Sequence, residues 1–161
     1  MADTTTNIVI AGLGGQGVLT ASDILAYAAF EAGRDVKKAE VHGMSQRGGS
    51  VTSDVRYGDR VFSPMVPPAE ADYLAVLEES QVEPARHRLR EGGTLLHAGM
   101  LDVSALPTAK ALNVAMLGML SAHLDLPREA WDAAIRACLP EKLHAVNLEV
   151  LGLGRKSLQG S

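Results

Sequence analysis

The sequence predicts an α/β protein, a three-layer α/β/α arrangement around a mixed, mainly parallel sheet with a Rossmann-like start. Three observations predict it. A β-branched run, Asn7-Ile8-Val9-Ile10-Ala11, meets a glycine-rich turn, Gly12 to Gly17, that opens onto a helix-periodic stretch. Apolar runs and helix-periodic stretches then alternate along the chain, the pattern of strands joined by helical crossovers. One stretch, 50–63, alternates about a tight turn and predicts an antiparallel excursion within the sheet.

Each element follows from its residues. Val18, Leu19, Ile24, Leu25, Ala28 and Ala29 recur at helical spacing, and Gly33 stops that helix. Residues 34–41 form a second strand, parallel to the first. The loop 42–49 is rich in glycine and poor in apolar residues. Residues 50–56 and 60–63 read as the two arms of a hairpin with Tyr57-Gly58-Asp59 at its turn. Pro64, Pro67 and Pro68 mark a loop before a buried strand, 72–77. A charged helix spans 83–91, with Arg86, Arg88 and Arg90 on a solvated face, and Gly92-Gly93 stops it before a strand at 94–97. After an irregular segment, 102–110, come an apolar helix (111–123), an amphipathic helix (128–138) ended by Pro140, and a last helix (144–151) with a frayed tail from Gly152 to Ser161.

The 161 residues, 47% hydrophobic and 21% charged, suit a single domain, 1–161, with a real core. A net charge of -4 argues against a nucleic-acid partner. The N-terminal residues lack the pattern of a signal peptide, and no apolar run approaches the roughly 20 residues of a membrane span, so the expected compartment is the cytoplasm and no membrane is involved. The one cysteine, Cys138, falls in an apolar helical context and reads as a core residue; an iron–sulfur cluster takes about four thiolates. His87, His97, His123 and His144 are isolated from one another and read as surface or core histidines. Met116 and Met119 read as core, and Trp131 as core or interface.

Two loops carry chemistry. Gly12, Gly14 and Gly17 satisfy the G-x-G-x-x-G spacing between a strand and a helix. Without Cβ atoms the turn tightens and a phosphate can approach the backbone, while the helix start offers unpaired N–H groups. The same spacing also serves a tight packing turn with no ligand. Glu40, about where a dinucleotide fold places its ribose-binding acid, keeps an NAD-binding half-domain open. Gly15-Gln16 adds a fourth glycine and an amide. The second loop, Glu40-Val41-His42-Gly43-Met44-Ser45-Gln46-Arg47-Gly48-Gly49-Ser50, follows a strand, so it belongs at the carboxyl edge of the sheet, facing the first loop. Arg47 suits a bidentate clamp on carboxylate or phosphate, with His42 and Gln46 as orienting groups; an ion pair between Arg47 and Glu40 is the plainer alternative.

Together, Gly12-Leu13-Gly14-Gly15-Gln16-Gly17-Val18-Leu19-Thr20-Ala21-Ser22 and the run from Glu40 to Val51 resemble the gamma-type domain of the 2-oxoacid:ferredoxin oxidoreductases. Gly43-Met44-Ser45-Gln46-Arg47 resembles the indolepyruvate branch, since the pyruvate and 2-oxoglutarate branches carry a Gly-Pro-Glu type sequence before the arginine. Ser63-Pro64, Ala71-Asp72-Tyr73-Leu74, Gly92-Gly93, Asn113-Val114-Ala115-Met116-Leu117-Gly118 and Asn147 extend the likeness over most of the chain. Departures are a short stretch between Leu101 and Asn113, a short tail, and only a loose match by Glu78, Glu79 and Arg86 to the family's glutamate and arginine.

The resemblance implies a small subunit in the oxidative decarboxylation of a 2-oxoacid to an acyl-coenzyme A. Thiamine diphosphate and the iron–sulfur clusters are expected on a large partner subunit, because this chain has neither the cysteines nor a Gly-Asp-Gly…Asn segment. Ferredoxin would accept the electrons through the complex. Coenzyme A is the ligand this chain is expected to touch, through Gly12, Gly14, Gly15, Gln16 and Gly17 at its phosphates, with His42, Gln46 and Arg47 at the site rim. No residue is assigned as nucleophile or general base. The other readings are a gamma subunit of another branch, a stand-alone NAD-binding oxidoreductase domain, and a non-enzymatic module that keeps the fold alone.

Overall fold

A computed structural model describes residues 4–42 and 49–157. Among them the elements run β1 (Thr6–Leu13), α1 (Val18–Glu31), β2 (Asp35–His42), β3 (Ser50–Gly58), β4 (Ala71–Val76), α2 (Val82–Ala85), β5 (Leu89–His97), α3 (Leu112–Ser121), α4 (Arg128–Cys138) and α5 (His144–Ser157). The sheet order is β2-β3-β1-β4-β5. Pairs β1–β4 and β4–β5 are parallel, and β1–β3 and β2–β3 antiparallel, so four strands share one direction and β3 alone opposes them. The α/β fold with a mixed sheet is the one the sequence predicts.

β1 lies at the centre, and Ile8, Val9, Ile10 and Ala11 are fully buried. A strand covered on both faces reads as a continuous apolar run, which is why it was legible. One face carries Ile8, Ile10, Val55, Tyr57, Ala75 and Leu96 against the long helices, with Trp131 of α4 completely enclosed. The other carries Val9, Ala11, Leu74 and Val76 beneath Val66, Val82 and Ala85. The third layer is therefore thin, made of α2 and the 59–70 segment.

Three expectations about elements change. β2 is parallel to β1 as expected, but β3 lies between them. The hairpin is β2 with β3, not 50–56 with 60–63. Residues 60–63 form no strand because they are tied down across the sheet: Val61 N–H donates to Asp35 Oδ2 (2.7 Å) and Arg56 Nη1 to the Ser63 carbonyl (2.8 Å). The charged helix 83–91 ends early, at Ala85. A 3-10 turn, Arg86–Arg88, follows, and β5 begins at Leu89. Gly92-Gly93 thus lies inside the strand, with Gly92 at φ +79 near a register shift against β4. Of the three arginines, Arg86 and Arg90 are exposed, Arg86 paired with Glu83 (3.0 Å), and only Arg88 turns inward. Arg88 reaches the buried Asp54 (2.7 Å) and Arg90 binds Asp72 (2.7 Å). Finally, α5 does not fray at Gly152 but continues to Ser157. A Cβ on Gly154 would collide with the Ala115 carbonyl of α3, and one on Gly118 with the Leu151 carbonyl, so these glycines let the two backbones touch.

Cys138 is half-buried at the end of α4, packed against the core, and burial pushes its thiol up; this is an unreactive setting. Met116 and Met119 are buried, as their helix pattern predicts.

Candidate functional site

The carboxyl ends of β1, β2, β4 and β5 and the start of β3 meet at one edge of the sheet. β1 is also where the chain changes sides, passing to β3 and β2 on one flank and to β4 and β5 on the other. Open α/β sheets place ligands at such a point. The glycine loop leaves β1 here. Gly12 is required by close approach, since a Cβ would sit 2.9 Å from both Gln16 Oε1 and Val18 Cγ2. Gly15 and Gly17 have φ of +89 and +84, and Gly17 directly precedes α1.

The loop's polar groups divide into spent and available. Gly14 N–H donates to the Gly49 carbonyl (2.9 Å) and Gln16 N–H to the Leu13 carbonyl (3.2 Å). The Gln16 amide is engaged at both ends: Oε1 accepts from Leu13 N–H (2.7 Å) and Nε2 donates to Glu78 Oε1 (3.0 Å). Gly15 and Gly17 N–H groups have no acceptor among the described residues, nor has the first turn of α1 an intrahelical one. These groups, with the positive end of a 14-residue helix, face incoming negative charge.

A cavity of about 440 Å³ opens beside them, lined by Gly15, Gln16, Gly17, Ala109, Lys110, Leu112 and Asn113. Asn113 is buried, and its Nδ2 donates to the Gly17 carbonyl (3.2 Å) while Oδ1 accepts from Val114 N–H (2.9 Å). This asparagine fixes the loop from α3. Lys110 is exposed and forms no ion pair among the described residues. The segment between Leu101 and Asn113 thus supplies the second wall of the cavity. Sequence reasoning missed both residues: Asn113 belongs to a segment that carries the family likeness but no assigned role, and Lys110 carries no local signal.

The second loop emerges where expected. His42 ends β2, opposite Val51, and Gly49 is bonded to Gly14. Gln46 and Arg47 lie outside the described residues, as does the side chain of His42. Glu40 is bound by Lys38 (2.5 Å), which also holds Asp23. With β3 inserted, Glu40 stands one strand farther from β1 than a dinucleotide fold requires, which removes the geometric basis of the NAD reading.

One pairing at this edge had no sequence signal. His97, the last residue of β5, places Nδ1 2.6 Å from Glu79 Oε1, and the same oxygen accepts the Gly99 N–H (2.9 Å). The His97 bond first, then the Gly99 bond, hold the Glu79 carboxyl below its ordinary range. Eighteen residues separate the partners, so His97 reads as isolated until the parallel pairing of β4 and β5 brings them together. Among the described residues there is no cluster of three or more His, Cys, Asp or Glu that could hold a metal, and no helix is long and apolar enough to cross a membrane.

Residues 7–110 match the family described as pyruvate ferredoxin/flavodoxin oxidoreductase. The chain is 49% identical over 87 residues to the indolepyruvate oxidoreductase subunit IorB of Pyrococcus horikoshii, a match spanning 54% of this chain and 43% of that protein. It is 33% identical to the IorB subunit of Archaeoglobus fulgidus over 92% of both chains. Its fold superposes with a TM-score of 0.83 on the keto/oxoacid ferredoxin oxidoreductase gamma subunit of Geobacter sulfurreducens, covering 97% of this chain and 99% of that one at 22% identity. The family match over residues 7–110 and the relative aligned over 92% of both chains show that the chain belongs to the pyruvate ferredoxin/flavodoxin oxidoreductase family.

Proposed function

We propose that this chain is the small subunit of an indolepyruvate (aryl 2-oxoacid):ferredoxin oxidoreductase, which decarboxylates its substrate oxidatively to an acyl-coenzyme A. The observation that carries the reading is the alignment with an IorB subunit over 92% of both chains. The chain's own share of the work is binding. The unspent N–H groups of Gly15 and Gly17, the start of α1 and the Lys110 ammonium suit the phosphates of coenzyme A. Gln16 and Asn113 hold that loop in shape, and Gln46, Arg47 and His42 would complete the rim from the second loop.

The donor set does not fit an iron–sulfur cluster, since the sequence has one cysteine, half-buried on α4, where a cluster takes about four thiolates. Clusters and thiamine diphosphate are accordingly assigned to a large partner subunit, with ferredoxin as the acceptor reached through it, in the cytoplasm.

The test is a tagged pull-down from anaerobic native extract, followed by assay of the recovered complex. A large thiamine- and cluster-bearing chain that reduces ferredoxin with indolepyruvate is the expected result. Reduction with pyruvate or a branched 2-oxoacid instead would move the chain to another branch. Recovery of no such subunit would overturn the proposal.

A further inference from the structure

The Glu79–His97 pair stands beside the glycine loop without being part of it. β1, β4 and β5 are neighbours, so His97 lies two strand spacings from the end of β1, roughly 10 Å. The two places are also joined through side chains: Gln16 donates to Glu78, and the next residue, Glu79, binds His97.

The geometry fixes the chemistry of the ring. An ionised carboxylate only accepts, so the hydrogen in the 2.6 Å contact is on His97 Nδ1. The neutral ring then carries its lone pair on Nε2, which has no partner among the described residues. Glu79 cannot swing away freely, because Gly99 N–H also holds the oxygen that orients the ring (2.9 Å). Gly99 is needed there: a Cβ would lie 2.6 Å from Glu79 Oε1 and 3.0 Å from the ring. A carboxylate that fixes the imidazole tautomer and stabilises the imidazolium is the arrangement of a proton acceptor, and His97 is partly open to solvent, which lets the proton leave.

From this arrangement we infer that His97, oriented by Glu79, takes the proton from the thiol of a coenzyme A whose phosphates rest on the glycine loop. This inference rests on the coenzyme A reading above and assigns a residue to a different end of the same ligand. The pantetheine arm is longer than the two-strand step from the loop to the ring. The step is a simple transfer: the S–H bond breaks, an N–H bond forms at Nε2, the electron pair stays on sulfur as thiolate, and the proton passes from Nε2 to solvent.

The experiment uses the full chain with coenzyme A alone. Binding is measured by calorimetry, and thiol reactivity by the rate of alkylation of the bound ligand at pH 7. The rate is compared between the wild type, His97→Gln and Glu79→Gln, each first shown to melt at the wild-type temperature. Wild-type protein should bind coenzyme A, and an added alkylating reagent should modify the bound thiol up to roughly tenfold faster than in His97→Gln, as expected for a thiol pKa lowered by about one unit. Glu79→Gln should fall between, and both variants should keep wild-type affinity. Binding with equal alkylation rates in all three overturns the proton-transfer role and leaves the coenzyme A reading standing. No binding by the wild type overturns both. A loss of affinity in His97→Gln with no change in the bound thiol's reactivity makes His97 a binding residue and overturns the inference as well.

Discussion

Gly17 satisfies two constraints at once. Its backbone is left-handed, at φ +84, and a Cβ would lie 2.5 Å from Asn113 Nδ2. Gly17→Ala should cost about 2 kcal/mol from the backbone alone, read as a lower urea midpoint, because L side chains resist that region. It should also displace Asn113, so a double variant with Asn113→Ala should cost less than the two singles summed. Strict additivity would show that Asn113 does not hold the loop. Asp54 presents a different cost. It is 1% exposed, its Oδ2 binds Arg88 (2.7 Å) and Val66 N–H (2.9 Å), and its Oδ1 has no partner. Asp54→Ala removes the only partner of Arg88 among the described residues and unpins the 59–70 segment, and should destabilise by about 3 kcal/mol. A change under about 0.5 kcal/mol would mean that the Arg88 side chain simply escapes to water.

The contact of α3 with α5 depends on glycine in both helices. Gly118 faces the Leu151 carbonyl and Gly154 the Ala115 carbonyl, each too near for a Cβ. Gly→Ala ordinarily stabilises a helix by up to about 1 kcal/mol. Here the sign should reverse, with each substitution costing about 1–3 kcal/mol from overpacking, measured by denaturant unfolding. A gain in stability would mean that the helices separate at no cost. The same contact explains what was legible. The apolar helix was plain from its run of apolar residues, yet Gly152 and Gly154 looked like the end of α5, because a glycine's value as a point of approach depends on a partner far away in sequence. The hairpin misplacement has the same origin. Residues 60–63 alternate like a strand, but Asp35 and Arg56 claim their backbone. At the site, the glycine loop was legible because Gly15 and Gly17 answer a local backbone need. Lys110, Asn113 and the Glu79–His97 pair were not, since only the sheet order assembles them.

The two edges of the sheet respond to different variables. At the amino edge, Tyr57 is fully buried, its hydroxyl donates to Asp125 Oδ1 (3.2 Å), and Arg34 binds the other oxygen (2.6 Å). Burial first, and then the charge of Asp125, push the Tyr57 hydroxyl well above the ordinary phenol range. The folded state therefore holds this proton more tightly than the unfolded chain. Its contribution is complete below about pH 10, the unfolded value, and is lost as pH rises from there toward the folded one. Tyr57→Phe should flatten the alkaline loss of stability in pH-dependent melts, and an unchanged alkaline limb would exclude Tyr57 as its source. The carboxyl edge should instead respond to ligand. Coenzyme A that binds only the folded chain stabilises it by mass action, about 2.7 kcal/mol at one hundred times Kd, a rise in Tm of roughly 5–10 °C. Lys110→Glu should abolish most of that rise while leaving the unliganded melting temperature in place, because Lys110 is exposed and forms no ion pair among the described residues. The Tyr57→Phe protein should keep the full rise, since its lesion lies across the sheet. Equal shifts in wild type and Lys110→Glu would detach the ligand from this cavity; a shift lost in Tyr57→Phe would mean that the sheet couples its two edges.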